Sequence, residues 1–216
     1  QEDGVRVYRF FPINLFSIQT LLNRPSMLLR PFWHMLDAFN IHSYFVVRAI
    51  LKKERPELVM THNLKGIGLT VPLAIRHCRI SHIHTVHDIG LVYPSGILLH
   101  GEVRALSHRI AALCSSSVTR RLFGSPTVVL FPSEFLRIFY CGRKFFPRSR
   151  IAVLPNPVSA ANSAYLPRRA LTHPVIYVYA GQLEPHKGIL FLLNTFMRWD
   201  RSDVRLVIAG RGSAEK

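Results

Sequence analysis

Compact apolar runs alternate with helix-like stretches along most of the chain, and this alternation restricts the fold more than any other feature. Glu57–Thr61, His82–His87, Thr127–Phe131, Ile151–Leu154, Val175–Ala180 and Val204–Ala209 read as strands. These strands are apolar on both faces, as strands covered by helices are, so the sequence predicts a parallel, doubly wound α/β architecture. Val5–Phe11, rich in β-branched and aromatic residues and closed by Pro12, is expected to add a further short strand. One long helix is expected from Pro31 to Pro56. Phe32, Met35, Leu36, Phe39, Phe45, Val46, Ala49 and Ile50 recur there at helical spacing, and proline suits a first helical position. Further helices are expected from about Ile67 to Cys78, up to about Cys141, and over Ile189–Met197. Val158–Pro174, rich in Ala, Ser, Asn and Pro and without apolar periodicity, reads as a linker. It divides the chain into residues 1–165 and 166–216.

The chain has 216 residues, 49% hydrophobic and 19% charged, which is a globular composition. No apolar run is long enough to span a membrane; Tyr44–Leu51 is cut by Arg48. Cys78, Cys114 and Cys141 are odd in number and widely spaced, which suggests neither a disulfide framework nor a metal site and favours a reducing, cytoplasmic setting. Lys and Arg outnumber Asp and Glu by 28 to 12, a formal net charge of +16. Residues 102–150 carry nine of the basic residues against Glu102 and Glu134 alone. Such a surface prefers polyanions, whether anionic lipid, nucleic acid or a phosphorylated substrate, and charge alone does not choose among them.

Ligands of open parallel sheets bind at the carboxyl ends of the strands. Four segments carry polar residues there: His62-Asn63-Leu64-Lys65-Gly66, His87-Asp88-Ile89-Gly90, Gly181 to Gly188, and Gly210-Arg211-Gly212. The third, GQLEPHKG, lies between a strand and a helix. Backbone N–H groups, the positive end of the helix dipole and the charge of Lys187 can converge there on an anion. His87 at its strand exit can hydrogen-bond a bound hydroxyl, with Asp88 placed to orient it or to take part. His82 and His84 share one face of their strand and His87 takes the other, so the three are not expected to share a metal ion. Neither a nucleophile elbow nor a Walker lysine loop is present.

The ordered series ERPELVMTHNLKG, HTVHDIG, VVLFPSEFL with RIAVLPNPV, VYAGQLEPHKG and LVIAGRGS, over about residues 54 to 213, closely resembles the group 1 (family 4) retaining glycosyltransferases of the GT-B fold. That resemblance implies two Rossmann-like domains facing each other across a cleft. Residues 1–165 would form the acceptor-side domain without its first strand. Residues 166–216 would open the nucleotide-sugar-binding domain with its first strand–helix–strand unit. It implies transfer of a sugar from a nucleotide-sugar to a glycan or lipid-linked acceptor with retained configuration, in cell-surface polysaccharide synthesis. No cofactor or metal is implied; the nucleotide-sugar is a substrate. His87 falls at the family histidine that contacts the transferred sugar. Lys187 matches the lysine that pairs with the donor pyrophosphate, and Gln182 stands where a phosphate-binding arginine is frequent. Gly181, Gly188, Gly210 and Gly212 match loop positions on the donor side, while His62, Asn63, Lys65 and Asp88 are acceptor-side candidates. Family members often dock on membranes through a basic amino-terminal domain. Arg104, Arg109, Arg120, Arg121, Arg143 and Lys144 are the candidates for such peripheral docking on the inner face of the cytoplasmic membrane. Against the family pattern, the first strand with its glycine-rich loop and the donor-ribose glutamate fall outside the chain, so a fragment truncated at both ends is expected. A basic nucleic-acid-binding module and a catalytically inert truncated chain are the alternatives. The first lacks any helix-turn-helix, zinc or RNA-recognition pattern, so no nucleic-acid partner is expected.

Overall fold

The computed structural model describes residues 4–22, 28–94, 96, 106–157, 174–199 and 201–215. The chain forms two compact units, 1–157 and 158–216. The expected division at 165/166 and the linker up to residue 173 lie outside the described residues.

In the first unit the elements follow as α1 (Ile18–Leu22), α2 (Arg30–Ala38), α3 (Ile41–Glu54), β1 (Leu58–Thr61), α4 (Val71–His77), β2 (Ser81–Thr85), α5 (Leu106–Phe123), β3 (Val128–Phe131), α6 (Glu134–Cys141) and β4 (Arg150–Val153). The four strands make one parallel sheet in the order β1-β2-β3-β4. Thr61 lies opposite His84, Ile83 opposite Val128, and Val129 opposite Ile151. The architecture is α/β and Rossmann-like, with each strand reached from a helix. The strands lie in chain order, so the reversal that defines a doubly wound sheet does not occur among the described strands.

Two expected elements differ. Val5–Phe11 forms no strand: Val5 alone makes a β bridge, and the residues after it are irregular. Arg6 Nη1 and Tyr8 Oη instead reach Glu54 Oε1 at the end of α3, at 2.9 and 2.5 Å. The single long helix of residues 31–56 is two helices. Asn40 breaks it: its Oδ1 accepts from the Ser43 N–H at 2.9 Å as the cap of α3, and its Nδ2 donates to Ile13 O at 2.8 Å. Thr70 Oγ1 donates to Asn40 O at 2.6 Å. An asparagine side chain that satisfies backbone groups locally competes with helix continuation. The α4 helix also starts later than expected, since Gly66 and Gly68 take φ values of 85° and 120° in the turn before it.

The break turns α2 over. Its buried stripe is Trp33, Asp37 and, just beyond, Asn40, at 1%, 4% and 4% exposure. Phe32, Met35, Leu36 and Phe39, whose spacing indicates the helix, are its exposed residues. The core of the unit lies elsewhere, in a cluster that includes Ile75, Val86, Val129, Phe131, Tyr140 and Phe146. Tyr140 packs against Phe145 with centroids 5.1 Å apart, and Phe123 packs against His84 at 4.7 Å.

Each helix in this unit that leads into a strand ends at the amino edge of the sheet. Lys52 and Lys53 lie in the last turn of α3, Arg76 in that of α4, and Arg120 and Arg121 in that of α5. Arg143 and Lys144 follow α6 and precede β4. Cations there meet the negative ends of the helix dipoles. The positive excess therefore gathers at the edge opposite the strands' carboxyl ends. The side chains of Arg104 and Arg109 lie outside the described residues.

The second unit contains β5 (Val175–Ala180), α7 (Ile189–Met197) and β6 (Val204–Ala209). The strands pair in parallel, Val175 opposite Val204 through Ala180 opposite Ala209. Short 3₁₀ turns at Pro185–Lys187 and Ser213–Glu215 follow the two strands. Leu183 and Ile189 are buried, while Ile176 and Val178 are exposed.

Candidate functional site

In the first unit the segments leaving β1 and β2 meet over a cavity of about 480 Å³. His62 and His87 are the residues immediately or nearly beyond their strands, so neighbouring strand ends bring them together. His62 Nδ1 and His87 Nε2 are 3.0 Å apart, and both rings are exposed. At this distance one ring donates to the other, so each fixes the other's tautomer. Asn63 Oδ1 accepts from the Lys65 N–H at 3.2 Å and shapes the turn that follows. Lys65 Nζ donates to Pro94 O at 2.9 Å. Asn63, Lys65, His87 and Asp88 all line the cavity.

Asp88 does not orient His87. Its Oδ1 accepts from the Gly90 N–H at 2.7 Å, closing its own turn, and the ring of His87 is held by His62 instead. Tyr140 Oη donates to Asp88 O at 2.8 Å and pins the same turn to α6. Burial pushes the Tyr140 phenol well above its ordinary range, so it remains a donor.

His82 and His84 point together to the buried side of β2. Thr61 Oγ1 lies 2.7 Å from His82 Nε2 and 2.8 Å from His84 Nδ1. A hydroxyl with one proton and two lone pairs can donate to one ring and accept from the other. Burial lowers His82 to about 4 and, with the neighbouring histidines adding to it, His84 to about 3. Both are neutral core residues at physiological pH. Among the described residues no three His, Cys, Asp or Glu side chains assemble into a metal site.

The structure adds two residues that sequence reasoning did not single out, His34 and Asp37, both on α2 and both lining the cavity. Asp37 accepts from the Gly66 N–H through both oxygens, at 3.0 and 3.1 Å, and thereby fastens the 62–66 segment to α2. Burial raises its carboxyl to about 6, against the opposing pull of the Gly66 N–H and the Lys65 charge. Burial likewise lowers His34 to about 4, assisted by Lys65 and Arg30. Lys65 is itself lowered by burial, with Asp88 and Asp37 opposing. The available signal was a lone carboxylate inside an apolar run, Trp33-His-Met-Leu-Asp37-Ala-Phe39.

In the second unit Gly181, Gln182, Lys187, Gly188, Gly210 and Gly212 occupy the two loops that follow β5 and β6. Leu183 N–H donates to Arg211 O at 2.9 Å, and Ala214 N–H donates to Leu183 O at 2.9 Å. The loops run so close that a Cβ on Gly210 would sit 1.8 Å from Gly181 O, and one on Gly212 would sit 2.2 Å from Leu183 O. Glu184 fastens them further, accepting from Ser213 Oγ at 2.6 Å and from the Ser213 N–H at 3.0 Å. Tyr179 Oη donates to Gln182 O at 2.8 Å, so the Gln182 backbone is held from the strand. Lys187 is exposed at the end of the 3₁₀ turn. Gly188, at φ 76°, follows it as the cap of α7 and turns the chain so that the helix's first N–H groups open beside the lysine.

A Rossmann-like unit whose polar side chains gather over a cavity at the carboxyl ends of its strands is a ligand-binding α/β domain. Residues 5–162 match the family model described as Glycosyltransferase Family 4, and the chain belongs to that family. It is similar to the Lipopolysaccharide 1,2-N-acetylglucosaminetransferase of Salmonella typhimurium, 33% identical over 91 residues, which is 38% of this chain and 23% of that protein. It is also similar to an uncharacterized 42.6 kDa protein in the cps region of Klebsiella pneumoniae, 23% identical over 161 residues, or 74% of this chain and 43% of that protein. The chain thus spans less than half the length of either relative.

Proposed function

We propose that this chain serves a GT-B glycosyltransferase that moves a sugar from a nucleotide-sugar to a glycan or lipid-linked acceptor with retained configuration, in cell-surface polysaccharide synthesis. The observation that carries the reading is His87 in the cavity wall, paired with His62, within the segment that matches the family. In this reading His87 touches the transferred sugar, and His62 keeps its ring in one orientation. Asn63 and Lys65 border the acceptor. Lys187, with the first N–H groups of α7, neutralises the diphosphate as it leaves, an electrostatic contribution that grows as charge develops on the departing oxygen. Gln182, where an arginine is frequent, supplies a hydrogen-bond donor without charge. Gly210 and Gly212 let the two loops come close, Gly188 supplies the left-handed turn into α7, and with Gly181 they present backbone groups to the donor. No cofactor and no metal enters the reaction as proposed.

The name of the Salmonella relative makes N-acetylglucosamine the first donor sugar to test. The test is binding and transfer with uridine and guanosine diphosphate sugars, the product anomer being read by NMR coupling. A Lys187→Ala variant should weaken nucleotide-sugar binding by about tenfold or more, since it removes a charge-assisted contact. Inverted product would remove retention from the reading. Unchanged donor binding without Lys187 would remove its role at the diphosphate.

A further inference from the structure

We infer that Asp37 is a substrate-binding residue, whose carboxylate receives a hydroxyl of the acceptor sugar inside the cavity and so helps to set acceptor specificity. Three observations carry it. Asp37 is 4% exposed as a residue, and it belongs to the cavity wall. Its one hydrogen-bond donor among the described residues is the Gly66 N–H, shared by its two oxygens. A carboxylate has about four acceptor positions, and the Gly66 N–H engages at most two of them, so acceptor capacity remains at both oxygens. Hydroxyl donors of a ligand would complete the set.

The surroundings suit a sugar. Met35, Phe39, Leu69 and Val118 give the cavity apolar wall on which the C–H face of a pyranose can rest, while His34, Asp37 and Lys65 supply polar groups at one part of it. Lys65 Nζ spends one of its three protons on Pro94 O. Asp37 also couples the ligand to the site described above, because the Gly66 amide it holds ends the segment that carries His62. The carboxyl is half protonated near pH 6, so its capacity to accept hydroxyls falls in acid. The charged group that acts on it is Lys65, which also feels Asp88, and His34 on the same helix feels Lys65 and Arg30.

The inference rests on the sugar-transfer reading for the identity of the ligand, but its test needs no donor. The full 216-residue chain is titrated with the methyl glycosides of glucose, galactose and N-acetylglucosamine, and the Gly66 amide resonance is followed, with inorganic phosphate as the anionic control. At least one glycoside should move Gly66 saturably. Asp37→Asn keeps an oxygen for the Gly66 N–H while losing the charge, and should weaken that glycoside by about tenfold, the difference expected between a charged and a neutral acceptor. If the variant fails to fold, the wild-type affinity is measured against pH while the Asp37 carboxyl carbon is read directly, and the two should titrate together. The inference is overturned by glycosides that leave Gly66 unmoved, by a response to phosphate alone, by an Asn variant that binds as well as wild type, or by affinity that stays flat through the Asp37 titration. Glycosides bound at Asp37 alongside failure of every nucleotide-sugar to bind would sink the transfer reading and leave this inference standing.

Discussion

His62 Nδ1 and His87 Nε2 face each other across 3.0 Å at the ends of two adjacent parallel strands, so a single shared proton sets the orientation of both rings. Neither ring is buried, and neither contributes to the core. Replacing His87 by Ala should therefore cut sugar transfer by about tenfold or more while leaving the melting temperature within a few degrees of wild type. His62→Ala should lower kcat with a smaller effect on donor KM, because His87 remains but loses its partner. A melting temperature that falls in step with activity in the His87 variant would assign that ring to the fold and not to the site.

Stability should fall on mild acidification, and the sign follows from the buried histidines. His34 and His82 are lowered to about 4 and His84 to about 3, so the unfolded chain binds protons below about pH 6.5 that the folded chain refuses. Their contribution is complete above the unfolded value and is lost as pH falls towards the folded values. Each proton taken up on unfolding costs about 1.4 kcal/mol per pH unit. Asp37 acts in the opposite sense: its carboxyl is raised to about 6, so its contribution is present below its unfolded value and is lost as pH rises through 6. With three histidines against one carboxyl, denaturant midpoints should drop from pH 7 to pH 5, and His82→Gln should flatten the slope. A midpoint independent of pH over that interval would contradict the burial of these rings.

Gly210→Ala should disrupt the second unit selectively. The added Cβ would meet the carbonyl oxygen of Gly181 at 1.8 Å, a backbone contact that no rotamer change relieves. A two-stranded parallel sheet with one helix has little margin to absorb that strain. Hydrogen exchange should become fast in Val175–Ala180 and Val204–Ala209 while β1 to β4 stay protected. Ordinary protection of β5 in the variant would show that the loops can separate without cost.

The positive amino edge of the first sheet should bind anionic vesicles in a salt-dependent way. Each basic residue near such a surface gains about 1 kcal/mol, falling off within a Debye length of about 8 Å at physiological salt. Arg121 and Lys144 are exposed, whereas Arg120 donates to Arg143 O and Arg143 lies over the Phe139 ring at 3.8 Å. Arg121→Glu with Lys144→Glu should thus reduce co-sedimentation with anionic vesicles without unfolding the chain. Binding equal on neutral and anionic vesicles, or undiminished in high salt, would exclude electrostatic docking. Among the described residues no helix is long and apolar enough to cross a membrane.

Several elements were legible in the residues because local chemistry fixes them. Val175–Ala180, Ile189–Met197 and Val204–Ala209 occur with the expected bounds, since an apolar strand, a Gly188 turn and an apolar helix each declare themselves over a few residues. The grouping of His62, Asn63, Lys65, His87 and Asp88 also followed from the rule that parallel strands present their exits at one edge. Tertiary contacts decided the rest. Val5–Phe11 has strand composition, but only Val5 is bridged, and the side chains of Arg6 and Tyr8 are held by Glu54. The apolar spacing of Phe32, Met35, Leu36 and Phe39 announces a helix without saying which face is buried. Asn40 chose that face by bonding Ile13, Ser43 and Thr70, which carried Asp37 inward to Gly66. Local sequence sets backbone preference within a few residues. The pairing of His62 with His87 and the burial of Asp37 depend on partners 25 and 29 positions away, which only the folded chain brings within hydrogen-bond reach.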